Sequence, residues 1–204
     1  GIEVAVLKGP AVALIVYGRV AQRDFTDLDL LVHPDDLERA QLVLESLRYR
    51  QLSRNAPNLS SEKDVQFVRE SDDTLVELHW ALNPPDARFP LEASGIWERM
   101  ETVRVFDQPI RTLGLEDTLI ALCIHASKHR WISLKWTFDI AAIVSRKSDL
   151  LDWDALLQSC AAVGCTRTLL FGVQLASLLF GLKTPERLTE VADSASLCRL
   201  VEVV

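Results

Sequence analysis

Asp27 and Asp29 stand one residue apart in Asp27-Leu28-Asp29-Leu30-Leu31-Val32, a stretch that otherwise reads as an apolar strand. In a strand, residues i and i+2 project from the same face, roughly 6.5–7 Å apart. Two unpaired carboxylates so placed repel each other and destabilise the fold. A divalent cation removes that penalty, and Mg2+ typically takes one or two carboxylates plus the phosphate oxygens of a substrate. A polar strand end with two solvated acids has the same spacing, so the pair needs supporting residues.

Two flanking segments supply them. Upstream, the strand candidate Ile2 to Leu7 ends at Lys8-Gly9-Pro10, and a helix from Ala11 to Tyr17 follows. Such a corner brings backbone N–H groups and a helix N-terminus to bear on an anion such as a triphosphate. Gly9 permits close backbone approach and Lys8 is placed to touch a phosphate. An ordinary strand-to-helix turn would use the same glycine. Downstream, Leu75-Val76-Glu77-Leu78-His79-Trp80 puts Glu77 and His79 on one face and Val76, Leu78 and Trp80 on the core face. A carboxylate arriving from a neighbouring strand completes a three-acid cluster of the kind phosphoryl transfer uses, either holding metal or accepting a hydroxyl proton. Arg23 is suited to neutralise triphosphate charge, or equally to pair with Asp24 or Asp27.

In the second half, His125, Lys128 and His129 fall at helix positions i, i+3 and i+4 and share a face. That face either closes over a nucleotide or acceptor or is a polar stripe. The two histidines have zinc spacing, but no glutamate follows the first and no third ligand is evident. Lys135 and Asp139 are spaced for a helical salt bridge, and Trp131, Trp136 and Trp153 read as core.

The elements that must position these groups follow from apolar spacing and turn chemistry. Gly18 to Thr26 reads as polar loop. His33-Pro34-Asp35-Asp36 opens a helix with stripe Leu37, Ala40, Leu44 and Leu47. Asp64 to Arg69 and Thr74 to Leu82 form a hairpin around Glu70-Ser71-Asp72-Asp73, stopped by Asn83-Pro84-Pro85. Leu115 to His129 and Leu134 to Ser145 are helices. Asp152 caps a third that stops at Gly164. Thr168 to Phe180 is apolar nearly all round, as a central buried helix would be, and Thr184-Pro185-Glu186 starts a fifth. The expected architecture is mixed α/β: residues 1–112 as a catalytic domain and 113–204 as a helical one.

Bulk properties narrow the class. With 204 residues, 49% hydrophobic and 25% charged, the chain can bury a proper core. The net charge of −7 argues against non-specific nucleic-acid binding, which draws its affinity from phosphate neutralisation. Cys123, Cys160, Cys165 and Cys198 lie in apolar helical patterns and read as reduced thiols. No signal peptide or membrane span is evident, so a cytoplasmic setting is expected.

Leu7-Lys8-Gly9, Arg23, Asp27-Leu28-Asp29-Leu30-Leu31-Val32 and Val76-Glu77-Leu78-His79-Trp80 together resemble the nucleotidyltransferase superfamily of the DNA polymerase beta type. Within it, the chain looks most like an uncharacterised bacterial branch. That likeness extends to His125-Ala126-Ser127-Lys128-His129-Arg130-Trp131, Asp139-Ile140-Ala141 and Leu151-Asp152-Trp153, and so covers about residues 4 to 180. The resemblance implies a small mixed sheet flanked by helices, two Mg2+ ions (or Mn2+), and transfer of a nucleoside monophosphate with release of pyrophosphate. On that pattern Asp27 and Asp29 bind metal, Glu77 is the third acid, and Lys8, Gly9 and Arg23 meet the phosphates. His79, His125, Lys128 and His129 are candidates for contact with the nucleotide or the acceptor. The wider superfamily has Gly-Ser where this chain has Lys8-Gly9 followed by Pro10. A nucleoside triphosphate and a hydroxyl acceptor of unidentified kind are thus the expected partners. A non-catalytic nucleotide-binding or regulatory protein on the same fold, or a toxin-type enzyme modifying tRNA, are the alternatives.

Overall fold

Alternating apolar and polar side chains build one side of a sheet into a core and leave the other side polar. The computed structural model describes residues 1–53, 55–83 and 95–192; Pro84, Pro85 and Cys198 lie outside them. Contacts divide the chain into two compact units, Gly1–Gly114 and Leu115–Val204.

In the first unit, β1 (Val4–Val6), β2 (Asp27–Val32), β3 (Arg50–Gln51), β4 (Asp64–Arg69), β5 (Thr74–His79), β6 (Glu101–Val105) and β7 (Gln108–Thr112) form one mixed sheet among the described residues. Its order is β3-β4-β5-β2-β1-β7-β6. β2 runs antiparallel to β1 and parallel to β5, and β5 antiparallel to β4. On one face Val32, Val65, Phe67, Val76, Leu78 and Trp80 pack against Leu37, Ala40 and Leu44 of helix α2 (Leu37–Ser46). Since side chains alternate along each strand, Asp27, Asp29, Asp64, Gln66, Glu77 and His79 share the opposite face. Leu47, expected to extend the stripe of α2, is 54% exposed. The helix has ended at Ser46, and Arg48 turns the chain away at φ 66°.

The corner after β1 needs its glycine. Gly9 sits at φ 54°, ψ −118°, a conformation that a Cβ disfavours. The Ala11 N–H closes the corner by donating to the Lys8 carbonyl at 3.1 Å, the pattern of a type II′ turn. The helix α1 (Pro10–Val12) begins at the proline, one residue before the expected start, and widens into a π-helical turn at Ala13–Tyr17.

The β6–β7 hairpin was not legible from the sequence. Its two-residue turn places Phe106 and Asp107 at φ 47° and 64°, a type I′ geometry usually signalled by Asn-Gly or Asp-Gly. Pro109 also speaks against a strand. It is accommodated because β1 pairs only with Arg111 and Thr112 of β7, beyond the proline.

The second unit contains α3 (Leu115–Lys128), α4 (Leu134–Lys147), α5 (Trp153–Val163), α6 (Thr166–Phe180) and α7 (Glu186–Val191). The Asp152 side chain caps α5, accepting from the N–H groups of Asp154 and Ala155, and Gly164 ends that helix in the left-handed region. α6 packs on α3, α4 and α5. Gly172 within it lies under Trp131 and Cys123: a methyl there would sit 2.7 Å from the Trp131 ring and 2.9 Å from the Cys123 sulfur. Cys123, Cys160 and Cys165 are buried free thiols. No described helix is long and apolar enough to cross a membrane.

Candidate functional site

The register of three strands assembles a polar cluster. Parallel pairing of β2 with β5 sets Asp29 opposite Glu77, and antiparallel pairing of β4 with β5 sets Gln66 opposite Glu77 and Asp64 opposite His79. Asp29 is 1% exposed and His79 is 2% exposed. Lys8, carried in by the corner after β1, donates from Nζ to Asp29 Oδ1 at 2.7 Å. His79 Nε2 lies 3.1 Å from the same oxygen and 3.4 Å from Glu77 Oε2. Gln66 Nε2 donates to Glu77 Oε1 at 2.8 Å, leaving Oε2 to the cluster. On the far side of the imidazole, Asp64 Oδ2 is 3.5 Å from His79 Nδ1. That is ion-pair range without hydrogen-bond geometry, and buried Nδ1 has no hydrogen-bond partner. Lys63 pairs with Asp64.

The carboxyls respond differently to these neighbours. Burial pushes Asp29 up, but the His79 hydrogen bond and the charges of Lys8 and His79 outweigh it and hold Asp29 well below the usual carboxylate range. The His79 hydrogen bond, helped by Gln66, draws Glu77 down to about 2 against its burial and the Asp29 charge. Asp27 is raised, first by burial and then by the charges of Asp29 and Glu77, with Lys8 opposing. It is the acid of the three left short of positive charge.

Among the described residues, Asp29, Glu77 and His79 each offer a ligand atom within 4.8 Å of the others. The donor set of two carboxylates and an imidazole suits a divalent cation, and the raised Asp27 beside it is an acid that such a charge would settle. Asp27 starts β2 and stands outside that three-residue group while still feeling its charge. Gly9 lies close by: a Cβ there would meet the Asp27 carbonyl and the Phe25 ring at 3.5 Å. Arg23, half-buried and extended, follows the 3-10 turn Val20–Gln22. His125, Lys128 and His129 belong to the second unit, at the end of α3. There the two imidazoles stand 4.7 Å apart, and Trp136 packs against them at 4.8 and 5.1 Å.

Sequence reasoning missed Asp64 and Gln66 as members of the cluster. The signal was available: a turn centred on Glu70–Asp73 sets Arg69 opposite Thr74, and counting back along both strands brings Gln66 to Glu77 and Asp64 to His79.

Solved structures share this architecture. The antibiotic-resistance factor ANT(2'')-Ia superposes with a TM-score of 0.55 at 15% identity, over 88% of this chain and 87% of that one. In complex with adenylyl-2''-tobramycin it gives 0.54 at 15% identity, over 79% and 87%. The lincosamide antibiotic adenylyltransferase LnuA, bound to lincomycin, gives 0.51 at 16% identity, over 71% and 87%. At these identities the likeness is one of fold. No curated protein matches significantly. The family model described as uncharacterised nucleotidyltransferase matches residues 1–181, and the chain belongs to that nucleotidyltransferase family.

Proposed function

We propose that this chain moves a nucleoside monophosphate from a nucleoside triphosphate to a hydroxyl acceptor in a metal-dependent reaction, with Asp27, Asp29 and Glu77 holding the cation, Mg2+ or Mn2+. The observation that carries the reading is the meeting of Asp29 and Glu77, from two parallel strands, beside the Lys8-Gly9 corner. The acceptor oxygen bonds to the α-phosphorus, the bond to the β-phosphate oxygen breaks, pyrophosphate leaves, and the hydroxyl proton passes to a base. The bound cation supplies charge neutralisation at the phosphates. Glu77, held near 2, is suited to hold a cation and too weak a base to take the proton readily. Lys8 exchanges its Asp29 contact for a phosphate oxygen, and Gly9 lets the backbone come close to the triphosphate. Arg23 adds positive charge there. The adenylyltransferase fold neighbours favour a hydroxyl on a small molecule, and the net charge of −7 disfavours a nucleic-acid acceptor.

The test is release of labelled pyrophosphate from NTP across a panel of hydroxyl acceptors, aminoglycosides and lincosamides included. Asp27→Asn and Asp29→Asn should each lower turnover by orders of magnitude; turnover equal to wild type in both rejects the assignment. The ammonium already seated on Asp29 favours a second reading, a nucleotide-binding regulatory protein on this fold. Nucleotide binding without pyrophosphate release on any acceptor supports that one.

A further inference from the structure

We infer that His79 is itself a metal ligand, through Nε2, and that this nitrogen biases the site toward first-row transition ions over Mg2+. The inference rests on the metal-dependent reading above and names a further ligand and the class of ion it favours.

Four features converge on His79. Its ring is buried, and Nε2 points between Asp29 Oδ1 at 3.1 Å and Glu77 Oε2 at 3.4 Å. Adjacent ligands of an octahedral ion with bonds of about 2.1 Å lie about 3 Å apart, so Nε2 already stands close to ligand spacing from each of the two carboxylate oxygens. The opposite nitrogen, Nδ1, is buried without a hydrogen bond, with Asp64 Oδ2 at 3.5 Å. A small adjustment of the ring turns that approach into a hydrogen bond. The proton then stays on Nδ1 and the Nε2 lone pair is free, the carboxylate–histidine–metal arrangement that orients ligating imidazoles. Gln66 fixes the remaining ligand by holding Glu77 Oε1 and turning Oε2 inward. Imidazole nitrogen suits transition ions such as Fe2+, Ni2+ and Zn2+, whereas Mg2+ prefers oxygen and keeps its waters; Mn2+ serves as the paramagnetic probe of the site. Lys8 neutralises Asp29 until the ion arrives.

A bridging imidazolium that only holds two acids together would need the same contacts, so the experiment reads the metal–nitrogen bond directly. The chain has four histidines, and the other three, His33, His125 and His129, are not buried. In the variant His33→Gln/His125→Gln/His129→Gln, where His79 alone remains, pulsed EPR of bound Mn2+ should show nitrogen hyperfine coupling. Labelling with 15N-histidine should convert the 14N pattern to 15N without touching the site. His79→Gln should abolish the coupling, and Asp64→Asn should weaken Mn2+ binding by about 10–100-fold. Mn2+ bound without nitrogen coupling in that histidine-reduced chain overturns the inference and leaves carboxylate-only metal binding intact. No Mn2+ binding, with or without a non-hydrolysable ATP analogue, overturns both.

Discussion

Asp27 is the residue on which the assembly of the cluster weighs most. Its carboxyl is raised because burial and two neighbouring acids oppose its charge, whereas Asp29 and Glu77 are held down by Lys8, His79 and Gln66. The stability consequences have opposite signs. Asp29 and Glu77 stabilise the fold above their unfolded values, near 4, and that contribution fades as pH falls, for Glu77 through about 2. Asp27 destabilises the metal-free fold at neutral pH, and the penalty disappears as acid protonates it. Asp27→Asn should therefore raise the Tm of the metal-free protein near pH 7, with the gain shrinking as pH falls toward the ordinary carboxylate range and the raised carboxyl protonates. Adding Mn2+ should stabilise wild type more than the variant. Thermal melts across pH check this, and a Tm for Asp27→Asn below wild type in the absence of metal contradicts it.

Among the elements, the most legible were those whose signals are local. The strand spacing of Asp27 and Asp29, the Asp152 cap and the glycine stop at Gly164 each rest on a rule that acts over a few residues. The β6–β7 hairpin was hidden because Phe106, the first of its two left-handed turn residues, is of a type that rarely takes that conformation, and no glycine follows it. The convergence of His79 with Asp29 required strand order, which periodicity within one segment does not contain. The Gly9 corner yields a prediction at this scale. The space around it admits a methyl, with nearest atoms at 3.5 Å, so the constraint is its backbone conformation. Gly9→Ala should cost about 1–3 kcal/mol of stability by denaturant unfolding. It should also weaken triphosphate binding, because the corner that presents Lys8 is distorted. A variant as stable as wild type, with equal affinity, removes the corner from the account.

For the whole molecule, a family match over residues 1–181 and fold neighbours spanning most of the chain agree with a seven-stranded sheet whose polar face gathers acids beside a lysine–glycine corner. The central claim is that this face binds a triphosphate through a cation. Calorimetric titration of a non-hydrolysable ATP analogue into the protein, with and without Mn2+, tests it most directly, with Asp29→Asn as the comparison. Binding should require the metal and be lost in Asp29→Asn. At about 100 times the dissociation constant, the ligand should add roughly 2.7 kcal/mol of stability to wild type alone. Equal binding with and without metal, or an Asp29→Asn protein that binds as wild type does, contradicts the account.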